Sequence, residues 1–333
     1  MKKVHKYKDE VKKVLDSIRR ANSIVLTTHE GPDGDGIGAM LGLSLALKRQ
    51  GKSVEMIVPS SVPRRYSFLD RAKAIKVLSK KLVGTLSRAD LVLLIDCCEV
   101  ERTGGLAKHL PGKEVLAVDH HPKTEACVDG LIAEEYASSG ELVLDLLEEM
   151  RVGITKEIAF PLYCAILFDT HEFRFTRNDP AVFEAARKLV EAGADAEEAS
   201  RRLFGSMPKS VMVLQARVLE NARFEEKGAL VWSFITKDML DGIRVDQDDL
   251  RRPVTMLSEM EGVKIAVLFK EASKGVVKVS IRSPGKIRIN DIARMFGGGG
   301  HPFAAGVDMD GSLLDVQSKI LPLLRKRLRQ HSP

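Results

Sequence analysis

The sequence predicts an α/β protein, in which a large Rossmann-like domain with a mostly parallel sheet is joined by a helical linker to a smaller α+β domain. Two observations support the first domain: short apolar runs alternate with helical segments, and several of these runs end in Asp or His. A third observation is the change after the linker to strands separated by short helical stretches. The predicted divisions are 1–200 for the first domain, 201–225 for the linker and 226–333 for the second domain.

The elements of the first domain follow from apolar periodicity and from capping residues. Gly51 is placed to end a helix, Ser138 begins a segment with capping-box spacing, and Thr155 can cap the helix after it. The predicted elements are helix 8–21, strand 24–27, helix 36–50, strands 53–58, 91–95 and 115–118, helix 139–150 and helix 156–169.

From Pro180 to about residue 223 the chain is predicted to be helical, with a junction in the segment Gly205-Ser206-Met207-Pro208. Beyond it, the predicted strands are 230–235, 263–269 and 276–281, and the predicted helices are 247–261, 289–296 and 312–330. A glycine-rich turn separates the last two helices.

Composition is ordinary for a chain that buries sizeable cores. The 333 residues are 44% hydrophobic and 29% charged, and no apolar run approaches the roughly 20 residues that cross a bilayer. The basic start lacks the apolar segment of a secretory signal, so we expect a cytoplasmic protein with no membrane partner. The net charge of +6 is compatible with polyanionic ligands, but it is weak support for them because Lys and Arg are spread along the chain.

The four cysteines contain no pair of C-x-x-C motifs and are too sparse for a secreted scaffold. We therefore expect reduced, mostly buried thiols rather than structural zinc or a disulfide framework.

Candidate metal ligands follow four separate apolar segments. They are His29, Asp33 and Asp35 after the strand at 24–27, Asp96 after 91–95, His120 after 115–118 and Asp169 after 162–168. Ligands of open parallel sheets bind where the strands end, so these side chains are predicted to share one site. A lone Asp there is more often a helix cap, and a lone His is usually a satisfied polar group, but their joint occurrence favours a metal site.

The chemistry of these side chains indicates which metal they suit. Imidazole and carboxylate without thiolate fit manganese better than calcium, and the set is too rich in oxygen for structural zinc. Six side chains can hold two ions if one carboxylate bridges them. Such a pair can generate hydroxide at neutral pH and stabilise both oxygens of an in-line phosphoryl displacement.

A glycine-rich segment in the second domain is the other unusual feature. Gly297–Gly300 precede His301, and a run of backbone N–H groups of this kind can form an anion-binding concavity. A flexible turn is the alternative interpretation. The strand predicted nearby ends in Arg282-Ser283, which supplies a bidentate phosphate-binding group.

Together, these motifs resemble those of the DHH/DHHA1 phosphoesterase family over nearly the whole chain. The family signature is present as Asp119-His120-His121. Residues 29–38 resemble the family motif H-x-x-P-D-G-D-x-x-G, and residues 298–306 resemble G-G-G-H-x-x-A-A-G. The compact two-domain form looks most similar to the NrnA-like subgroup, which degrades short oligoribonucleotides and 3′-phosphoadenosine 5′-phosphate (pAp).

The resemblance implies a role for each matched residue. His29 and Asp33 would bind one Mn²⁺, and Asp35, His120 and Asp169 the other, with Mg²⁺ or Co²⁺ as alternative metals. The catalytic residues would be Asp96, which bridges the ions, and His121, which contacts the scissile phosphate or its leaving group. Substrate would be bound by Arg102, Arg282, Ser283, Gly299, Gly300 and His301.

The predicted activity is hydrolysis of very short oligoribonucleotides, such as pApA and pGpG, and of pAp. By its resemblance to the family, the enzyme is also expected to be able to form a homodimer. A single-strand 5′-exonuclease, a cyclic dinucleotide phosphodiesterase and a non-catalytic nucleotide-binding regulator stay open. Aromatic residues make up only 5% of the chain, which disfavours a long binding track for single strands. The complete ligand set disfavours a regulator.

Three positions depart from the family pattern. His171 stands where a glycine commonly follows Asp-Thr, Asp179-Pro180 replaces a Thr-containing turn, and Cys97-Cys98 follow the bridging aspartate. A His at position 171 could lie near the ions and change the ligand count or the substrate preference.

Overall fold

The apolar runs of the first part of the chain form a sheet in the computed structural model. The strands are β1 (Ser23–Thr27), β2 (Ser53–Val58), β3 (Ile75–Val77), β4 (Leu91–Ile95), β5 (Val115–Asp119) and β6 (Gly130–Ile132). Their order is β3-β2-β1-β4-β5-β6, and all five pairings are parallel. Ile24 and Leu26 pack in one core and Val25 in another, so both faces of the sheet are covered.

Helices of the first unit connect and cover these strands. They are α1 (Lys8–Arg20), α2 (Gly34–Arg49), α3 (Lys80–Arg88), α4 (Ser139–Glu149), α5 (Lys156–Asp169), α6 (Pro180–Glu191) and α7 (Ala196–Leu203). Helices α2 and α5 pack closely because α2 carries glycines at the contact. A methyl group on Gly38 would lie 2.4 Å from the Pro161 carbonyl oxygen, and one on Gly34 would lie 2.6 Å from Phe168. This packing sets the start of α2 beside the end of α5.

The second unit has a mixed sheet of its own. Its strands are β7 (Arg223–Glu225), β8 (Leu230–Ile235), β9 (Ile265–Glu271), β10 (Val276–Arg282), β11 (Gly299–His301) and β12 (Ala304–Asp310). The order is β11-β12-β10-β9-β8-β7, with β8 and β9 parallel and the other pairs antiparallel. Its helices are α8 (Lys209–Glu220), α9 (Lys237–Leu240), α10 (Arg252–Ser258), α11 (Asn290–Arg294) and α12 (Leu313–Gln330).

The two units are Met1–Ser206 and Met207–Pro333, so the division falls inside the predicted linker at 201–225. The structure describes residues 3–69, 73–176, 178–205, 207–243, 245, 248–250, 252–272, 275–285 and 287–331. Ser206 of the predicted junction, and positions 247 and 251 of the predicted helix 247–261, lie outside the described residues. No helix within these ranges is long and apolar enough to cross a membrane.

Several local features differ from the sequence predictions. The predicted glycine-rich turn is a hairpin of β11 and β12, because small residues let the two strands approach closely: a methyl group on Gly298 would lie 2.3 Å from the Gly306 carbonyl oxygen. Strands β3, β6 and β7 were not predicted, and each is only three residues long.

The expectation of four reduced thiols is wrong for two of them. Cys98 and Cys127 form a disulfide between the segment after β4 and the segment after β5. A backbone bridge between Glu99 and Cys127 brings these segments side by side, which their separation in sequence hides. Cys97 and Cys164 are free and buried, as expected.

Candidate metal centre

The loop after β1 supplies the first candidate ligands. Asp33 is the N-cap of α2: its Oδ1 accepts hydrogen bonds from the N–H groups of Asp35 (3.2 Å) and Gly36 (3.4 Å). Its other oxygen, Oδ2, lies 3.8 Å from His29 Nε2. The cap and the candidate ligand are therefore the same carboxylate, which uses a different oxygen for each purpose.

A second group forms around His120. Its Nε2 lies 3.3 Å from Asp169 Oδ2 and 3.6 Å from Asp35 Oδ2. These side chains come from the end of α5, the first turn of α2 and the loop after β5. The close packing of α2 against α5 explains why Asp35 and Asp169 meet across a long stretch of chain.

Asp96 lies between the two groups. Its Oδ2 is 3.7 Å from His29 Nε2, and its Oδ1 is 3.6 Å from His120 Nε2. The residue has a φ of 61°, a region that Asp tolerates better than most residues and that turns its carboxylate into the site. A methyl group on Gly36 would lie 2.6 Å from the Thr28 hydroxyl oxygen, so glycine lets the start of α2 approach the loop after β1.

The spacing of these donors suits divalent ions. The structure brings together three groups of donor atoms, each within 4.8 Å: His29, Asp33 and Asp96; Asp35, His120 and Asp169; and Asp96, His120 and His121. The distances of 3.3–3.8 Å exceed those of good hydrogen bonds. Donors that share one ion through bonds of about 2.1 Å lie roughly 3 Å or more apart, so the residues fit such an ion.

The pKa values of the carboxylates also fit a site for divalent cations. Burial raises the pKa of Asp35 well above its ordinary value, and the charges of Asp96 and Asp169 raise it further. Burial also raises the pKa of Asp169, to about 6, although His120 opposes the change. Burial acts against ionisation of Asp96 as well, but the nearby His29, His121 and His120 lower its pKa overall. Cations among these acids would relieve their repulsion.

Helix α4 holds two of the carboxylates in place. The N–H groups of Ser139 and Gly140 donate to Asp35 Oδ2 (2.6 Å) and Oδ1 (2.9 Å), and the Ser139 hydroxyl donates to Asp96 Oδ1 (3.0 Å). Ser138 is the actual cap of α4 and accepts from the Glu141 N–H. The sequence predicts only helix capping for this segment, and its contacts with the site appear only in the fold.

The histidine rings are oriented by backbone carbonyls. His29 Nδ1 lies 3.0 Å from the Glu30 oxygen, and His120 Nδ1 lies 3.2 Å from the Tyr136 oxygen. These contacts make Nδ1 the protonated nitrogen and leave Nε2 free to bind a metal ion, as is usual for metal-binding histidines.

His121 is held by Asp119, the other residue that the predicted site left out. Its Nδ1 lies 2.8 Å from Asp119 Oδ1, and its side chain is one-quarter exposed. Burial opposes protonation, but the hydrogen bond to Asp119 and the charge of Asp96 raise the pKa of His121 to about 9. The aspartate of the Asp-His-His signature could have been identified as a partner because it immediately precedes the two histidines.

Two further predicted positions border this centre. The Arg102 carbonyl accepts from the Glu30 N–H at 2.7 Å, and the positive charge of its guanidinium opposes the rise in the pKa of His29 and His121. His171 is exposed in the turn just after α5, two residues beyond Asp169.

The substrate-binding residues predicted in the second unit lie together at one end of its sheet. Ala304 pairs with His301 on one side and with Arg282 on the other. The N–H of the buried Ser283 donates to the Phe303 carbonyl at 2.9 Å. Gly299 and Gly300 belong to the edge strand β11, and Gly300 has a φ of 126°, which favours glycine.

Known proteins resemble this chain over nearly its whole length. The model of the DHH family N-terminal domain matches residues 23–166, and that of the DHHA1 domain matches residues 230–330. The bifunctional oligoribonuclease and PAP phosphatase NrnA of Thermus thermophilus is 32% identical over 97% of this chain and 96% of its own. The protein of that name from Bacillus subtilis is 26% identical over 96% of this chain and 98% of its own. The structure of an exopolyphosphatase-related protein from Bacteroides fragilis has a TM-score of 0.88 at 25% identity, with 96% of each chain covered.

The fold and the site therefore define a metal-dependent phosphoesterase, which is a hydrolase. More specifically, the chain belongs to the DHH/DHHA1 family, as the two domain matches and the Thermus relative show. Both the predicted fold class and the resemblance are confirmed.

Proposed function

We propose that this protein hydrolyses very short oligoribonucleotides and pAp, with manganese as its metal. The single observation that carries the proposal is the position of Asp96, whose two oxygens face two separate sets of His and Asp donors. The relatives named as oligoribonucleases and PAP phosphatases support this choice of substrates, because they match the chain almost from end to end.

Six side chains would hold the ions. His29 and Asp33 would bind one, Asp35, His120 and Asp169 the other, and Asp96 both. When bound, two divalent ions lower the pKa of water and neutralise charge on a phosphoryl group. The mixture of imidazole and carboxylate favours manganese, with magnesium or cobalt as alternatives.

The leaving oxygen needs a proton, and we propose that His121 donates it. The contact between its Nδ1 and Asp119 orients the ring and leaves Nε2 as the atom that would transfer the proton. The Arg102 guanidinium, whose charge acts on both His29 and His121, would bind a phosphate oxygen.

Residues of the second unit would bind the substrate away from the reacting phosphate. Arg282, Ser283 and His301, with the backbone of Gly299 and Gly300, offer donors for an anionic group at one end of the sheet. Contacts to phosphate position a nucleic acid without reading its sequence, so we expect selection by length rather than by base. The cytoplasmic location and the homodimer stay predictions.

A substrate panel tests this function. Purified protein with manganese would be incubated with pAp, pApA, pGpG, a cyclic dinucleotide, a 5-mer and a 24-mer RNA, and pyrophosphate, with Asp96→Ala as the inactive control. We expect pAp and the linear dinucleotides to be hydrolysed fastest. Equal rates on the 24-mer and on dinucleotides would indicate a single-strand exonuclease. A preference for the cyclic substrate would indicate a cyclic dinucleotide phosphodiesterase, and binding without hydrolysis would indicate a regulator.

A further inference from the structure

The turn after α5 carries exposed aromatic rings that the proposed mechanism does not use. The Phe175 side chain is 62% exposed, and the ring of His171 contacts its ring edge-on, with 5.5 Å between centroids. Nearby, Phe173 stacks on Phe183 at 5.4 Å, and Phe183 is itself 52% exposed. Single exposed apolar residues are common on protein surfaces, so exposure alone indicates no function.

The backbone of this turn is unusual. His171, Glu172 and Phe173 have φ values of 48°, 57° and 64°, a region in which three successive non-glycine residues are rarely found. Residues in such sparsely populated conformations persist only where the surroundings impose them, and they concentrate at binding and catalytic sites. The conformation is therefore a second, independent reason to ask what the turn binds.

Hydrogen bonds make the turn rigid. The N–H of Glu172 donates to the Leu167 carbonyl (2.9 Å), and that of Phe173 donates to the Thr170 hydroxyl (3.1 Å). The N–H of Phe175 donates to the Thr170 carbonyl at 3.0 Å, and Thr170 itself is fully buried. The ring of Phe175 is thus presented to solvent by a hydrogen-bonded backbone.

The position of the turn connects it with the metal centre. Thr170 directly follows Asp169, whose Oδ2 lies 3.3 Å from His120 Nε2. The hydrogen bond from the Phe175 N–H to the Thr170 carbonyl therefore ties the backbone of Phe175 to the residue that follows a candidate metal ligand. A nucleotide with its phosphate at the metal centre would bring its base to the surrounding surface, where an exposed aromatic ring can stack on it.

We propose that Phe175 and His171, which we call the aromatic shelf, stack against one base of the substrate. This inference rests on the proposed function, because it requires a nucleotide at the metal centre. Every base has a π-face, so stacking would tolerate both purines and pyrimidines. One shelf binds one base, which agrees with short substrates and with an aromatic content of only 5%.

Kinetics with and without a base test the shelf. The substrates are pAp and its abasic analogue, ribose 3,5-bisphosphate, both with manganese. Phe175→Ala should raise KM for pAp about 10-fold, leave kcat little changed, and leave KM for the abasic analogue at the wild-type value. Phe175→Tyr should restore KM for pAp. Phe224→Ala, which removes a similarly exposed ring (57%) from strand β7, should change neither substrate's KM.

Two results would overturn the proposal that the aromatic shelf stacks on a base. One is an unchanged KM for pAp in Phe175→Ala. The other is an equal rise in KM for both substrates, which would mean that the ring acts structurally. If the wild-type protein hydrolyses neither substrate, the proposed function is wrong. A binding measurement then tests separately whether the aromatic shelf stacks on a base. In Phe175→Trp, adenosine 5′-monophosphate should quench tryptophan fluorescence and ribose 5-phosphate should not. Absence of quenching by the nucleotide would reject the shelf.

Discussion

The metal centre of the first unit and the glycine hairpin of the second are both built from histidines, small residues and charged side chains, but they differ in burial. In the centre, His29, Asp35, Asp96 and His120 are almost completely buried, and hydrogen bonds orient them. In the hairpin, His301 and its neighbouring glycines are half-buried or exposed. Under the proposed function, this difference would make the first region preorganised for chemistry and the second suited to bind a substrate that arrives from solvent.

Removal of divalent ions should have the largest effect of all the tests, because it acts on the metal centre and not on the glycine hairpin. Removing divalent ions with EDTA is expected to abolish turnover, because a pocket rich in carboxylates then repels the substrate phosphate. Manganese should restore activity more fully than magnesium, as measured by release of phosphate from pAp. Full turnover in EDTA would refute the role of the ions.

Asp96→Asn should produce the next largest effect. The side chain keeps its shape but loses the charge shared by both sets of donors, so we expect kcat to fall more than the roughly 10–100-fold seen for outer-shell changes. Metal content by mass spectrometry should drop together with activity. The prediction fails if the variant binds two ions normally and keeps its kcat.

Ser139→Ala tests whether the outer contacts of the centre matter. The hydroxyl donates to Asp96 at 3.0 Å, and its loss should weaken manganese affinity about 10-fold. Ser138→Ala is the matched control on the neighbouring residue. It removes the cap of α4, so it should lower stability by about 1 kcal/mol in thermal unfolding and change metal affinity much less. Equal metal affinities in the two variants would contradict the assignment.

Arg282→Ala should act on binding alone. The loss of a charged hydrogen-bond donor is expected to raise KM for pAp about 10-fold, while kcat and metal content stay near wild type. Lys278→Ala on the same strand, with a half-exposed side chain, provides the control. A fall in kcat at unchanged KM would place Arg282 in the chemistry and remove the contrast between the two regions.

The sequence could predict the parallel sheet and the convergence of its ligands, because buried strands are continuous apolar runs whose ends meet at one edge. It could not predict the contacts of Ser139, since these join residues 104 and 43 positions apart in the chain. The carboxylate of Asp33 was open to two interpretations, as cap or as ligand, and the structure places one oxygen for each. That the six side chains bind metal stays a prediction.

Other features were hidden by weak local signals. Glycine has a low preference for strands, so the sequence of β11 indicated a turn, although close packing against β12 makes it an edge strand. The three-residue strands β3 and β6 are too short for a periodic pattern. The pairing of Cys98 with Cys127 depends on two loops meeting in space, which spacing along the chain does not reveal.

Anomalous diffraction from crystals soaked in manganese would test the central claim most directly. We predict two peaks about 3.5–4 Å apart, with one oxygen of Asp96 bound to each ion and with His29 and His120 on opposite sides of the pair. A single ion, or ions bound away from Asp96, would contradict this account of the site.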